Sequence, residues 1–339
     1  MHLEIAQSTP TAAAMGRVVQ AHYALGEVVE AEFLRRSFNQ VYRLTLADGR
    51  RVVARLCAER PRGEPRLRFE ADVLQHLRAR GCPVAASLPT RTGDVAVRMA
   101  LPEGEREVML FEYLDGEATT DLAANIEAFG RGLALLHTAG AGLQSDAPHY
   151  TLDLDHLLLR PLQHLLRAPT MTADLRPQFE ALGHRLHDRI ASLGELTQVL
   201  CHGDAHSDNN FITVNESTGE REAVFFDFDD TGPGHLAYEL AVYPWWLHPR
   251  NVDGVWSEKA LARWNQFISA YQAVRPLSEA DVAALPMFVA VRQFWLLGEY
   301  AGRVPVWGSQ AMPLDYLQRQ VKVLTQWETL ALAVPPGAR

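Results

Sequence analysis

The chain of 339 residues is 47% hydrophobic and 22% charged, so it can bury a large core, has room for two lobes and lacks the composition of a disordered protein. Its formal net charge of −9 disfavours nucleic acid as the main partner, because phosphate backbones bind clusters of Lys and Arg. Three cysteines without a CxxC pair imply no disulfide framework, and we expect a cytoplasmic protein with neither a signal peptide nor a membrane span.

The first third of the sequence predicts an antiparallel sheet that carries one prominent helix. Its elements are marked by alternating or helical spacing of apolar residues. The predicted helices cover 11–25 and 64–81, and the predicted strands lie within 33–57, 95–100 and 107–116. In the first strand region the dipeptide Asp48-Gly49 is typical of a hairpin turn, and Gly81 is a suitable helix end.

The character of the chain changes after Gly116, where helical patterns begin to dominate. The predicted elements are helices over 125–140 and 174–193, a loop-rich stretch over 141–175, short strands around 199–212 and 221–235, and mainly helices over 236–333. The whole pattern predicts an α+β protein with a sheet-rich N-lobe, 1–115, and a larger, mainly helical C-lobe, 116–339. The cleft between such lobes is the natural ligand site.

The segment VLCHGDAHSDNNFI, residues 199–212, gathers polar side chains between apolar flanks. Phosphoryl transfer needs an Asp that orients the attacking hydroxyl and accepts its proton, and an Asn a few residues later that binds Mg²⁺. Asp204 and Asn209 have this spacing. A second metal-binding Asp is available in VFFDFDDTG, where Asp227 follows an apolar strand. Such hard oxygen ligands suit Mg²⁺ that is shared with nucleotide phosphates.

Together, the two segments resemble the aminoglycoside phosphotransferase-like family, whose pattern is HGDxHxxN and then a strand that ends in Asp. The family uses a bilobal protein-kinase-like fold and includes choline, homoserine and antibiotic kinases, and the resemblance covers most of the chain. It implies an enzyme that uses ATP, or alternatively GTP, with Mg²⁺. The acceptor implied is a small-molecule alcohol: homoserine, an amino alcohol, or a hydroxyl of an antibiotic or nucleoside.

The resemblance implies a role for each matching position. Asp204 matches the catalytic base, and Asn209 and Asp227 match the Mg²⁺ ligands. Glu70 matches the helix acid that pairs with a strand cation, which is Arg55 here in place of the usual Lys. The other nucleotide-binding residues implied, in the phosphate-covering hairpin and the linker beside adenine, are Ser37, Asn39, Glu112, Tyr113 and Leu114. The supporting or substrate-contacting candidates are His202, His206, Asp229, Asp230, Trp245 and Trp246.

Three other interpretations stay open. A zinc hydrolase could use the His202, Asp204 and His206 pattern, although no further His-rich or Cys-rich segment completes such a site. Similar bacterial chains phosphorylate Ser and Thr of proteins, but the chain passes quickly into helix after Asp227 and offers no readable activation segment. Arg55 and a hairpin without Gly leave room for a nucleotide-binding protein without catalysis. The sequence makes no prediction about oligomeric state.

Overall fold

The structure is a computed structural model, and it describes residues 3–119, 121–248 and 255–335. The α-helices are α1 (Ala12–His22), α2 (Leu67–Ala79), α3 (Ala123–Ala139), α4 (Arg160–Leu166), α5 (Arg176–Ala191), α6 (Leu236–Leu247), α7 (Glu258–Gln272), α8 (Glu279–Gly302), α9 (Val304–Trp307) and α10 (Leu314–Trp327). The strands are β1 (Val28–Arg36), β2 (Gln40–Leu46), β3 (Arg51–Leu56), β4 (Ser87–Leu88), β5 (Val97–Leu101), β6 (Gly104–Glu112), β7 (Glu117–Ala118), β8 (Gln198–Cys201), β9 (Asn210–Val214), β10 (Arg221–Phe225) and β11 (Gly232–His235).

The N-terminal region forms a six-stranded antiparallel sheet in the order β1-β2-β3-β6-β4, with β5 also paired to β6. Strand β2 alternates buried and half-buried residues because successive side chains point to opposite faces of a sheet. Its buried Tyr42 and Leu44 pack in one core with Met15 and Val19 of α1. Gly49 lies in the β2–β3 turn with φ of +85°, which confirms the predicted hairpin.

Helix α2 joins the two lobes through its two faces. Its Val73, Leu74 and Leu77 belong to the same core as the apolar residues of the C-lobe helices. Its Glu70 is also buried but forms an ion pair with Arg55 of the N-lobe strand β3. A side chain on this helix is therefore fixed relative to both lobes.

Helix α8 occupies the middle of the C-lobe, where it packs against α4, α5, α6 and α10. It is long and apolar enough to cross a membrane by length and composition, but 72% of its most apolar window is buried inside the protein, as in a core helix. Its charged residues Arg292 and Glu299 are buried as well. Charges inside a core must be paired, so both point to ion pairs within the protein.

The predicted loop-rich character of 141–175 is wrong for its second half. A π-helical turn over Asp155–Leu159 continues directly into α4, and this helical segment packs against α8. Pro161 lies in the first turn of α4, directly after the π-helical turn. The other predicted helices and the two strands of 95–116 are confirmed within a few residues.

Two small sheets bring the polar segments of the C-lobe together. Strand β8 pairs with β11, and β9 pairs with β10 and β7. The loop between β8 and β9, residues 202–209, therefore lies against the loop between β10 and β11, residues 226–231. We name them the β8–β9 loop and the β10–β11 loop.

Candidate active site

Hydrogen bonds hold the β8–β9 loop to the β10–β11 loop. The ring nitrogen Nε2 of His202 lies 2.9 Å from the carbonyl oxygen of Phe226, and the Phe226 amide donates to the Asn209 carbonyl at 3.1 Å. The other ring nitrogen of His202 accepts from the Asp204 amide at 3.3 Å. Burial lowers the pKa of His202 to about 4, so the ring is neutral at pH 7 and serves as a spacer between the loops.

Gly203 allows the close contact between these loops. Its φ is +89°, and a Cβ at this position would lie 2.2 Å from the carbonyl oxygen of Asp230. Its amide donates to Oε2 of the buried Glu239 on α6 at 2.9 Å. Only glycine combines this backbone conformation with so short a distance to the Asp230 backbone. The backbone at Gly203 therefore sets the direction of the next residue, Asp204.

Asp204 lies at the base of the cleft with 22% of its side chain exposed. Its Oδ1 accepts from Arg292, its Oδ2 lies 3.5 Å from Nε2 of His206, and its carbonyl accepts from the Asn209 amide group at 2.9 Å. Burial alone would raise the pKa of Asp204, but the Arg292 guanidinium and the contact with His206 outweigh burial and hold that pKa well below its usual range. Asp204 is therefore an oriented carboxylate that is ionised at neutral pH.

Asp227 follows β10 in a backbone conformation that is uncommon outside glycine, with φ of +66°. Its carboxylate lies 3.4 Å from Arg35 and 3.4 Å from Arg55. Burial and the nearby Asp229 raise its pKa despite these arginines. Its carboxylate oxygens are hard ligands of the type that Mg²⁺ prefers.

The Arg55–Glu70 pair is present and lies deep in the N-lobe. Both guanidinium Nη atoms bond to the Glu70 carboxylate, with Nη1 to Oε1 at 2.9 Å, and the guanidinium carbon lies 4.8 Å from the Phe111 ring centroid. This bidentate arrangement is what an arginine provides in place of a lysine.

Two adjoining cavities meet at Asp227 and Arg55. The first, of about 330 Å³, lies under Glu112, Tyr113 and Leu114, and we name it the linker cavity. Its apolar lining, apart from the linker itself, consists of Leu34, Val41, Val53, Leu74, Ala85, Phe111, Phe211, Phe226 and Phe228. A mostly apolar cavity beneath a backbone linker suits a heteroaromatic ring.

The second cavity, of about 340 Å³, lies beside the β8–β9 loop, and we name it the loop cavity. Its charged lining consists of Arg35, Arg55, Arg60, Asp204, Asp208, Asp227, Asp229, Asp230 and Arg292, and its aromatic lining of Phe38, Trp245, Trp246, Trp295 and Tyr300. Asp204 and Asp227 thus face one space that also opens towards the linker cavity.

The two tryptophans singled out by the sequence differ in their settings within the loop cavity. Trp245 is buried and donates from Nε1 to Gln293 at 2.8 Å. Trp246 is 37% exposed and stacks on His206 at 4.4 Å with an interplanar angle of 9°. Trp246 therefore has exposed surface that a ligand could contact, whereas Trp245 is part of the buried wall of the cavity.

Asp229 and Asp230 are engaged with arginines of the segment after β3. Arg60 lies 3.3 Å from each carboxylate, and Arg62 pairs with both. Arg60 also reaches Glu299 of α8 at 3.3 Å. The negative charge of both aspartates is thereby balanced by protein cations, and the network ties the N-lobe to the C-lobe.

The β1–β2 hairpin tip reaches the loop cavity. Asn39 donates to Asp229 at 2.7 Å and accepts from the Ala58 amide at 3.2 Å, and the Ser37 hydroxyl accepts from the Phe38 amide at 2.6 Å. Both side chains line the loop cavity, and their contact with phosphates stays a prediction.

Sequence reasoning missed three arginines of the loop cavity: Arg35, Arg60 and Arg292. A signal existed for Arg292, because it is a single charge in the apolar run FVAVRQFWLL of α8, where a cation needs a partner. Arg35 and Arg60 carried no such signal, since both lie in segments where charged residues are ordinary.

The geometry does not support a zinc hydrolase. Both ring nitrogens of His202 hold backbone groups, and Nδ1 of His206 accepts from the Asp208 amide at 3.1 Å. Across the described ranges 3–119, 121–248 and 255–335, no group of three or more His, Cys, Asp or Glu side chains could hold a metal ion.

Comparison with known sequences gives one family match and two informative relatives. The model of the phosphotransferase enzyme family matches residues 32–277. An uncharacterized protein of Deinococcus radiodurans is 36% identical over 298 residues, which cover 87% of this chain and 84% of that one. A homoserine kinase of Rhizobium rhizogenes is 26% identical over 266 residues, or 75% of this chain and 76% of that one.

Solved structures show the same fold at low sequence identity. A microcompartment-associated aminopropanol kinase aligns with a TM-score of 0.70 at 20% identity and covers 93% of this chain and 95% of that one. The amicoumacin kinase hAmiN, in complex with AMP-PNP, Ca²⁺ and Ami, aligns with a TM-score of 0.72 at 17% identity, over 92% and 91%. These likenesses confirm the predicted α+β, protein-kinase-like fold.

Proposed function

The chain belongs to the phosphotransferase enzyme family, and from that premise we propose that it transfers the γ-phosphate of ATP, with Mg²⁺, to a hydroxyl of a small amino alcohol or of homoserine. That it is a kinase acting on a small-molecule hydroxyl follows from the family and the neighbours. We propose in addition that the phosphate donor is ATP, that Mg²⁺ is required and that the acceptor is of this class. We extend it to a cytoplasmic location, which is supported by three free, buried cysteines.

One observation carries the proposal: Asp204 and Asp227 line the same small cavity, and that cavity adjoins an apolar slot beneath the interlobe linker. A nucleotide with its base in the linker cavity would extend its phosphates towards Asp227 and Arg55, which line both cavities. The acceptor would then occupy the loop cavity beside Asp204. Two substrates meeting at one boundary is the arrangement that a direct transfer requires.

Asn209 and Asp227 fit a magnesium site. The Asn209 amide nitrogen donates to the Asp204 carbonyl at 2.9 Å, so its Oδ1 is the atom left to accept or to ligate. Asp227 adds carboxylate oxygens, and Mg²⁺ commonly combines one or two such protein ligands with phosphate oxygens and water. When bound, Mg²⁺ neutralises charge that develops on the transferred phosphoryl group.

Asp204 performs the step that this chain supplies directly. Its ionised carboxylate aligns the acceptor hydroxyl for in-line attack and takes up the proton that the hydroxyl loses. Because the pKa of Asp204 is held low, it is a weak base, and orientation contributes more than proton affinity. Arg55 lies where it can meet the nucleotide phosphates while it remains bonded to Glu70.

Size and lining favour a small acceptor over a protein. The loop cavity has a volume of about 340 Å³, and its lining includes Phe38, Trp245, Trp246, Trp295 and Tyr300. Relatives that are named homoserine kinases and a structural neighbour named an aminopropanol kinase support an acceptor with both an amino group and a hydroxyl.

A screen of nucleotide-diphosphate release tests the proposal. The purified protein receives ATP or GTP with Mg²⁺ and a panel of homoserine, aminopropanol, ethanolamine, choline, an aminoglycoside, a nucleoside antibiotic and a Ser/Thr protein substrate. We expect acceptor-dependent ADP release with an amino alcohol or homoserine, and none from Asp204→Asn. Release with the protein substrate alone would replace the small acceptor, and tight ATP binding without release would favour a nucleotide-binding protein without catalysis.

A further inference from the structure

We propose that Arg292 is a positioning residue that presents one oxygen of Asp204 to the acceptor, an inference that rests on the proposed function. Arg292 lies on α8, 88 residues from Asp204 in sequence, and only 2% of its side chain is exposed. A positioning residue acts on a reaction through the group that it holds, which is here the Asp204 carboxylate.

Arg292 contacts both the side chain and the backbone of the β8–β9 loop. Its Nη2 donates to Oδ1 of Asp204, and its Nη1 lies 3.4 Å from the carbonyl oxygen of Gly203. The same Nη1 donates to the Tyr238 hydroxyl on α6 at 3.0 Å. One guanidinium group thus fixes the carboxylate and the peptide that precedes it.

Two indole rings fix the guanidinium itself. Its central carbon lies 4.2 Å from the Trp295 ring centroid and 4.9 Å from that of Trp245. Stacking on aromatic faces restrains the plane of an arginine, and a lysine ammonium has no plane to restrain. The position of Asp204 is therefore set by a cation that has little freedom of its own.

This arrangement divides the two carboxylate oxygens of Asp204 between two tasks. Oδ1 is engaged by Arg292, whereas Oδ2 lies 3.5 Å from His206 and belongs to the side chain that lines the loop cavity. With Oδ1 held, Oδ2 is the oxygen available to an acceptor hydroxyl. Without Arg292, the carboxylate would be free to turn about its Cβ–Cγ bond, and Oδ2 would no longer be held towards the acceptor.

A purely structural ion pair makes a different prediction from a positioning residue. Any buried pair loses stability when one partner is removed. Arg160 of α4 provides a comparison outside both cavities, since it bonds to the buried Glu299 at 2.9 Å and lines neither cavity; 24% of its side chain is exposed, and Glu299 keeps Arg60 as a second partner. Loss of Arg160 should cost stability and leave turnover at its wild-type value.

The kinetic test compares Arg292→Met, Arg292→Lys, Arg292→Ala and Arg160→Met. We expect Arg292→Met to lower kcat about 100-fold, the typical effect of misplacing a reacting group by about 1 Å, while the Kd for MgATP changes less than about twofold. Added guanidinium ion should raise the kcat of Arg292→Ala by about tenfold or more and should leave the kcat of Asp204→Asn unchanged. The kcat of Arg292→Lys should lie between those of wild type and Arg292→Met. A kcat within about twofold of wild type in Arg292→Met, or failure of guanidinium to rescue Arg292→Ala, would overturn the proposal.

A crystal structure of Arg292→Met tests positioning without turnover. We expect the Asp204 carboxylate to leave its present position, with the β8–β9 loop otherwise in place. An unmoved carboxylate would overturn the positioning role whatever the activity. If the wild-type protein phosphorylates no acceptor, the proposed function fails, and the carboxylate position still decides the role of Arg292.

Discussion

The linker cavity and the loop cavity have nearly equal volumes, about 330 and 340 Å³, but the chemical character of their linings differs. Strand side chains and one interlobe segment supply a mostly apolar lining for the linker cavity, where the main polar feature is the Arg55–Glu70 pair. The loop cavity is lined by charges that pair across long sequence distances and by aromatic rings. A site for a common nucleotide can be built from local pattern, whereas a site for a particular acceptor depends on tertiary pairing.

This contrast predicts that substitutions in one cavity affect one substrate. Changes at the linker cavity should alter nucleotide binding, and changes at the loop cavity should alter turnover or acceptor binding.

Arg55→Met should have the largest effect on stability. It leaves Glu70 buried without a partner, which typically costs about 3–5 kcal/mol in the free energy of unfolding. Adding Glu70→Leu should recover most of that stability but not the affinity for MgATP, as measured by denaturant unfolding and calorimetric titration. Recovery of nucleotide affinity in the double variant would show that Arg55 has only a structural role.

Glu239, which accepts from the Gly203 amide of the β8–β9 loop, should make the free energy of unfolding depend on pH. Burial raises its pKa from 4.5 to about 7, helped by Asp204 and opposed by the Gly203 amide and Arg292. An acid whose pKa is raised by folding stabilises the native state most below pH 4.5, and this contribution is lost as pH rises towards 7. The loss is about 3 kcal/mol relative to Glu239→Gln, which keeps an acceptor for Gly203.

Unfolding of wild type and Glu239→Gln between pH 4 and 8 measures this difference. Parallel curves for the two proteins would mean that Glu239 has no raised pKa. The substitution leaves the Gly203 amide, Asp204 and Arg292 in place.

Gly203→Ala should lower turnover about 100-fold, because the new Cβ cannot lie 2.2 Å from the Asp230 carbonyl and the β8–β9 loop must move. Gly194→Ala is the matched control, since Gly194 has φ of +84° and nothing within 4 Å. Both share a backbone cost of about 1–2 kcal/mol. An equal loss of turnover in the two variants would show that backbone strain, and not the position of the β8–β9 loop, causes the loss. Full turnover in Gly203→Ala would show that the loop need not hold its position.

Trp246→Ala should have the smallest effect, an increase of about fivefold to tenfold in the KM for the acceptor, in line with about 1 kcal/mol for an exposed cation–aromatic contact. The KM for ATP should stay the same. Phe111→Leu, in the linker cavity, should produce the opposite pattern. If both variants change both KM values, the two cavities do not divide the substrates.

The sequence allowed much of the fold and the centre of the site to be predicted because both leave local patterns. Asp204, Asn209 and Asp227 lie in two short segments with fixed spacing, and the strands around them follow from apolar runs. The structure also brings together Arg55 and Glu70, which are only 15 residues apart. The helix at 155–166 was not predicted, and it contains Pro161 at the start of α4, directly after the π-helical turn.

The acceptor side was less predictable because its contacts are not local. Arg60 meets Asp229 and Asp230 from about 170 residues away, and Arg292 meets Asp204 from 88 residues away. No periodicity of apolar residues encodes such pairs. A buried arginine in an apolar helix signals that a partner exists, but the partner is known only once the chain is folded.

Transfer of a labelled γ-phosphate tests the central claim most directly. Wild type and Asp204→Asn are incubated with γ-labelled ATP and the best acceptor, with and without Mg²⁺, after binding of MgATP to both proteins has been measured. The account predicts label on the acceptor only for wild type with Mg²⁺, and MgATP affinity in Asp204→Asn within about twofold of wild type, since a group acting only in the transition state leaves binding intact. Equal transfer by Asp204→Asn, or label released only as inorganic phosphate whether or not acceptor is present, would contradict it.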